Sequence, residues 1–355
     1  MAKELWKGNE AIAEAAIKAG CKYFFGYPIT PQNEIPEYMA LKLPQEGGCF
    51  LQAESEVAAI NMVYGAAGAG ARVMTSSSSP GISLKQEGIS YIAGAELPCV
   101  IVNIVRGGPG LGSIQPAQSD YFQATKGGGH GDYRMIVLAP ASVQEAVDLV
   151  QEAFDIADQY RNPVMVMGDG MIGQMMEPVE FVEIPKRQLP EKDWATTGLR
   201  GRKEHNVINS LYIEASQCDK HNEDLFAKYA KMEETEIRCE EYNLEGAEIV
   251  FAAYGTVARI VKNAIKSLEK EGIKAGLIRP ITLWPFPKAN FLKAADMPNV
   301  KAFLSVEMSM GQMVEDVELS VKGKKPVYFY GKAGGAIPTP KAIVEEAKKI
   351  LGGAK

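Results

Sequence analysis

The chain has 355 residues, enough for two domains at roughly 100–200 residues each. With 46% hydrophobic and 23% charged residues, its composition is that of a folded globular protein and excludes disorder as its main character. Its 38 basic and 44 acidic residues leave a net charge of −6, which argues against nucleic acid or an anionic membrane as the principal partner.

No apolar run approaches the roughly 18 residues that span a bilayer. Met1–Gly20 reads as an amphipathic helix, with Glu10 and Glu14 among alanines and Ile17, rather than as a signal peptide. A cytoplasmic location is the expectation. The five cysteines, Cys21, Cys49, Cys99, Cys218 and Cys239, are an odd and sparse set, no two closer than 21 residues. Such a set suits neither a disulfide framework nor the closely spaced thiolates of an iron–sulfur site. Three histidines lie at no metal-ligand spacing, so a metal cluster held by this chain is not expected.

From Lys22 to Asp169 short apolar runs alternate with helical patterns. The runs are Tyr23–Phe25, Val73–Met74, Val100–Val105, Met135–Leu138 and Val164–Met167, several ending in Gly, Pro or Ser clusters. Helices are expected at 8–19, 33–41, 55–69, 81–94 and 142–158. Residues 177 to 245 break the rhythm with Pro178, Pro185 and Pro190, a polar stretch and the acidic run Glu233–Glu241. Beyond Glu248 the alternation returns, with strands at 249–254, 275–278, 301–306 and 326–330 and helices at 256–270, 310–321 and 340–351. The pattern predicts an α/β fold. A doubly wound domain spans 1–180, a linker or extended segment with helical portions, mostly on the surface, 181–245, and a smaller α/β domain 246–355.

Several strand-to-helix junctions carry polar chemistry. Gly26-Tyr27-Pro28-Ile29-Thr30-Pro31 presents the Thr30 hydroxyl at a strand's carboxyl end, the edge where open α/β sheets bind ligands; the same sequence also suits a tight connection capped by Thr30. Gln52-Ala53-Glu54-Ser55-Glu56 opens a helix whose small residues, Ala58, Ala59, Gly65, Ala66, Ala67, Gly68 and Ala69, permit very close packing. Its carboxylates suit ordinary capping or a buried ligand contact. Thr75-Ser76-Ser77-Ser78-Ser79-Pro80-Gly81 is a hydroxyl-rich turn that offers donors to an anion or polar ring, or caps itself; it lacks the phosphate-loop pattern. Arg106, at the end of an apolar strand and before Gly107-Gly108-Pro109-Gly110-Leu111-Gly112, favours a carboxylate ligand over a structural ion pair, because a buried guanidinium is costly without an anion. His130, in Lys126-Gly127-Gly128-Gly129-His130-Gly131-Asp132, is either catalytic or a loop hydrogen-bonder. Gly168-Asp169-Gly170 suggests a metal–diphosphate motif, but no Asn follows at the required spacing within Lys192–Arg202, so that reading is rejected.

Together, Gly26–Pro31, the run Ser55-Glu56-Val57-Ala58-Ala59, Thr75–Leu84 and Arg106-Gly107-Gly108-Pro109 resemble the α-type subunit of the 2-oxoacid:ferredoxin oxidoreductases over nearly the whole chain. Ile278-Arg279-Pro280, Trp284-Pro285-Phe286 and the strand ending Val306-Glu307 look like a transketolase C-terminal domain. The pattern from Gly110 to Lys126 looks like the branched-chain (2-oxoisovalerate) member. The resemblance implies that 1–180 is a pyrimidine-type thiamine diphosphate domain. In it Glu56, rather than Glu54, meets the aminopyrimidine and favours its imino tautomer.

By the same resemblance Arg106 and Thr30 hold the substrate, and Pro28, Ile29 and Ser79 join Glu56 around the cofactor. The implied reaction decarboxylates a 2-oxoacid, passes two electrons through iron–sulfur clusters to ferredoxin and gives the acyl group to coenzyme A. The implied partners are a diphosphate-binding β-type subunit, a γ-type subunit and a ferredoxin-like iron–sulfur subunit, with Mg²⁺ and the 4Fe–4S clusters on them. Three other readings share parts of this pattern: a 2-oxoglutarate member, the β subunit of an NAD-linked 2-oxoacid dehydrogenase complex, and a non-catalytic α/β scaffold. Glu56 and Arg106 speak against the last, and Gly26–Pro31 with Arg106–Gly112 against the second.

Overall fold

The computed structural model describes residues 3–185 and 187–353. In chain order its first elements are β1 (Glu4–Lys7), α1 (Gly8–Lys18), β2 (Tyr23–Gly26), α2 (Glu34–Lys42), β3 (Cys49–Gln52), α3 (Glu56–Gly68), β4 (Val73–Ser77) and α4 (Ser79–Gly94). There follow β5 (Cys99–Val105), α5 (Tyr121–Thr125), β6 (Ile136–Leu138), α6 (Val143–Tyr160), β7 (Pro163–Asp169), α7 (Gly170–Gln174) and β8 (Met176–Val179). The remainder is α8 (Ala215–Thr235), β9 (Cys239–Tyr242), β10 (Ile249–Ala252), α9 (Gly255–Lys270), β11 (Ala275–Pro280), β12 (Thr282–Trp284), α10 (Lys288–Ala295), β13 (Ala302–Glu307), α11 (Met313–Val321), β14 (Val327–Gly331) and α12 (Pro340–Gly353).

Two mainly parallel sheets organise these elements, as the alternation predicts. The larger has seven strands in the order β12-β6-β7-β5-β4-β2-β3, and the smaller five in the order β14-β13-β10-β11-β9. β5 and β7 are buried along their whole length, as strands covered by helices on both faces must be. Within these two sheets only β12 and β9 run antiparallel, each at a sheet edge; β1 and β8 form a separate antiparallel pair. β12 follows residue 246 yet closes the first sheet, whereas β9 precedes it and edges the second.

Arg279 ties the two sheets. Its Nη1 and Nη2 each donate to the Glu145 carboxylate at 2.8 Å, and its Nε donates to Glu240 at 2.7 Å. Gln118 adds a second tie, donating to the Tyr254 carbonyl at 2.9 Å and accepting from the Met308 N–H at 3.0 Å.

Two expectations need correction. The first helix does not occupy the whole of 1–20: Glu4–Lys7 pairs antiparallel with β8, and the helix starts at Gly8, where a Cβ would collide with the Ile172 carbonyl; residues 1 and 2 lie outside the described residues. The helix expected from 310 starts at Met313. The Glu307 carboxylate accepts the N–H groups of Gln312, Met313 and Val314 at 3.0, 3.1 and 2.9 Å and so holds Ser309–Gln312 as a loop. Within 181–245, where helical portions on the surface are expected, lies a 21-residue helix, α8, that buries only the stripe Leu225, Tyr229 and Met232. Among the described residues no helix is long and apolar enough to cross a membrane.

Candidate active site

Four neighbouring strands, β5-β4-β2-β3, point their carboxyl ends to one edge of the larger sheet. The predicted site residues all stand on the junctions that leave this edge. After β2, Pro28 and Thr30 are exposed and Ile29 is half-buried. The loop is pinned from below by Gln32, fully buried, which accepts the Ser76 hydroxyl at 2.5 Å and donates to the Tyr27 carbonyl at 3.3 Å.

After β3, Ser55 caps α3 by accepting the Ala58 N–H at 3.2 Å, which places Glu56 in the first helical turn. Glu54 is exposed; Glu56 is only 6% exposed, and its carboxylate accepts no hydrogen bond among the described residues. The start of α4 faces it. A Cβ on Gly81 would stand 2.7 Å from Glu56 Oε1, so only glycine lets the two helix starts come this close. Below, the hydroxyls of Thr75, Ser77 and Ser78 are buried without partners.

After β5, Arg106 is 8% exposed. Its Nη1 donates to the Thr30 carbonyl at 2.8 Å and its Nη2 to the Leu111 carbonyl at 3.0 Å. Nε is buried and unpartnered. Ser79 is engaged within the chain: its hydroxyl donates to Asp120 at 2.7 Å and accepts the Arg106 N–H at 3.1 Å. Asn103 donates to the same Asp120 oxygen at 2.9 Å and accepts the Ser79 N–H at 3.2 Å. Burial pushes the Asp120 carboxyl above its usual range, against the pull of those two hydrogen bonds.

Gln32, Ser76, Asn103 and Asp120 escaped the sequence reading as supports of the site. Asn103 left a signal, since it is the one polar residue in the apolar run of β5. His130 is exposed in a loop whose glycines pack on Gln86 and Ser90, well along α4 from its start. Asp169 caps α7, accepting the N–H groups of Met171 at 2.8 Å and Ile172 at 3.4 Å.

An unbonded buried carboxylate, three unpartnered hydroxyls and a spare guanidinium N–H suit a polar ring and a carboxylate ligand better than a closed core. The comparisons name that class. Residues 14–241 match the family model described as pyruvate flavodoxin/ferredoxin oxidoreductase, thiamine diphosphate-binding, and residues 247–343 match that of pyruvate:ferredoxin oxidoreductase core domain II. The ketoisovalerate oxidoreductase subunit VorB of Methanothermobacter thermautotrophicus is 49% identical over 352 residues, covering 99% of both chains. The 2-oxoglutarate synthase subunit KorA of the same organism is 39% identical, covering 97% of this chain and 98% of its own. Among solved structures, a 2-oxoglutarate:ferredoxin oxidoreductase from Magnetococcus marinus, with 2-oxoglutarate, coenzyme A and succinyl-CoA bound, superposes with a TM-score of 0.86 at 27% identity. That match covers 98% of this chain and 65% of the other.

The fold is that of the thiamine-diphosphate-binding α/β domains that the first family model describes. The chain belongs to the 2-oxoacid:ferredoxin oxidoreductases, as one subunit of a hetero-oligomeric enzyme.

Proposed function

We propose that this chain supplies the pyrimidine-side half of a thiamine diphosphate site in an enzyme that oxidatively decarboxylates a branched-chain 2-oxoacid to acyl-CoA, passing the electrons to ferredoxin. The observation that carries the reading is Glu56, a nearly buried carboxylate without an internal partner, facing the start of α4. Bound thiamine diphosphate supplies the electron sink for decarboxylation. Glu56 holds the proton at the pyrimidine ring nitrogen, Pro28, Ile29 and Ser79 frame the ring's surroundings, and Arg106 with Thr30 orients the substrate carboxylate.

Two features support the branched-chain substrate. The relative at 49% identity acts on ketoisovalerate by name, against 39% for the 2-oxoglutarate one. The loop Gly107–Gln115 carries no cation for a second carboxylate and exposes Leu111 and Ile114. Mg²⁺, the 4Fe–4S clusters and the diphosphate contacts belong in this reading to the β-type, γ-type and ferredoxin-like subunits. We place the enzyme in the cytoplasm, where its five free cysteines stay reduced.

The test is an assay of the purified complex with a viologen dye against 2-oxoisovalerate, 2-oxoglutarate and pyruvate. The highest kcat/KM is expected for 2-oxoisovalerate. Preference for 2-oxoglutarate overturns the substrate assignment, and transfer to a lipoyl domain in place of the dye overturns the electron path.

A further inference from the structure

Lys85 lies on α4 and is fully shielded from solvent. Its Nζ donates to the main-chain carbonyl of Glu56 at 3.5 Å, and among the described residues it forms no ion pair. A lone buried ammonium is costly, and a methionine of similar length would fill the same space without that cost.

The charges around it are few. α4 packs against α3, β5 and β7. From α3 comes Glu56, with Tyr64 two turns further on. β5 brings Cys99, whose thiol burial pushes up to about 12 and keeps neutral. β7 brings Asp169, spent in capping α7. On α4 itself Glu87 accepts the Tyr91 hydroxyl at 2.6 Å in solvent. Glu56 is therefore the anion that Lys85 answers to: burial draws the ammonium down to about 8, and the Glu56 charge works the other way.

We propose that Lys85 is a positioning residue for Glu56, its buried ammonium anchoring the first turn of α3 from behind through the Glu56 main-chain carbonyl. This rests on the reading of Glu56 given above. It adds a buried cation that holds in place the turn carrying the carboxylate.

The test uses Lys85→Met and Lys85→Gln, two neutral replacements, in the assembled enzyme loaded with thiamine diphosphate. In both, kcat is expected to fall roughly 10-fold with KM for the 2-oxoacid little changed, because a displaced carboxylate costs rate rather than substrate binding. A second readout needs no cofactor: the urea midpoint of the purified full chain. Glu56→Gln is expected to lower it in the wild-type background, where Lys85 loses its anion, and to leave it unchanged in the Lys85→Met background. An unchanged kcat in both neutral variants, or the same midpoint shift in both backgrounds, overturns the proposal. Near-normal turnover by Glu56→Gln alone removes the reading of Glu56 itself. An inactive Glu56→Gln beside a Lys85→Met variant of wild-type kcat removes only the role of Lys85.

Discussion

Arg106 reaches back across the sheet edge to Thr30: its Nη1–H donates to the Thr30 main-chain carbonyl at 2.8 Å, joining two loops 76 positions apart in sequence. Its Nη2 holds the Leu111 carbonyl, and Nε is left buried and unspent. One planar fork therefore clamps both loops of the substrate-binding reading and keeps a donor in reserve, which a point-charge ammonium cannot do.

Arg106→Lys is expected to raise KM for the 2-oxoacid roughly 10- to 100-fold with kcat much less affected, the loss of a charged hydrogen bond being worth roughly 1.5–3 kcal/mol. Steady-state kinetics of the reconstituted complex measure it. Unchanged KM and kcat would leave Arg106 as a strut between loops.

Glu56→Gln nearly preserves volume but gives an amide in place of a carboxyl at the pyrimidine. Turnover is expected to fall roughly 10²–10⁴-fold while the fold is kept, the usual size of an acid–base contribution. Circular dichroism checks the fold and dye reduction the rate. Near-normal oxidation of 2-oxoacids would end the cofactor assignment of Glu56.

Gly81→Ala tests the approach of the two helix starts. Alanine suits a helix better than glycine by about 1 kcal/mol, but its methyl would also collide with the buried Ser77 hydroxyl, so circular dichroism must first show the fold kept. The methyl would stand 2.7 Å from Glu56 Oε1 and push the carboxylate aside. A displacement of this order at a reacting group costs roughly 10²-fold in rate. Wild-type kcat in the alanine variant would mean that the carboxylate's position is slack.

What the sequence made legible followed from period and punctuation. The apolar runs at Val100–Val105 and Val164–Met167 and the amphipathic helix at 256–270 are found where the pattern puts them. The junctions carrying Thr30, Glu56, Ser79 and Arg106 were legible too, because Pro, Ser and Gly mark where parallel strands hand over. The edges were not. β1, β8, β9 and β12 are strands of three or four residues whose identity depends on a distant partner, and Trp284 pairs with Val137 across a gap no local pattern spans. The same holds for Gln32 on Ser76 and Asp120 on Ser79, buried polar pairs between separate segments.

Glu236 predicts how the stretch after β8 responds to acid. It is 3% exposed and accepts Arg187 through both nitrogens, at 2.5 and 2.8 Å, and the Tyr160 hydroxyl at 2.9 Å. Burial alone would raise its carboxyl, but those hydrogen bonds hold it below the ordinary value of 4.5. A carboxyl depressed in the folded chain contributes stability above its unfolded pKa and loses it as pH falls through the folded one. Urea unfolding should therefore show a loss of stability below about pH 4.5 that Glu236→Gln reduces, with the variant weaker by roughly 1–3 kcal/mol at pH 7. Equal pH dependence in the two proteins would show that the Arg187 contact contributes nothing.

The chain by itself is expected to purify colourless, without iron, and to neither decarboxylate 2-oxoacids nor reduce a dye. Electron exit needs clustered thiolates, and its closest cysteines, Cys218 and Cys239, are 21 residues apart. Among the described residues no group of three His, Cys, Asp or Glu side chains is placed to hold a metal, and the Asp169 carboxylate is committed to the start of α7. The elements that carry and face Glu56 expose apolar side chains: Leu51 on β3, Val57 and Met62 on α3, and Leu84 on α4 are 41, 44, 36 and 53% exposed. Exposed apolar side chains beside a half-built polar site suit a large obligate interface with a second polypeptide. Co-expression with the partner subunits should therefore give a brown complex that binds thiamine diphosphate between chains, and visible absorbance with iron analysis reads it directly. Complete 2-oxoacid oxidation by this polypeptide with no other subunit present would overturn the division of the site between chains.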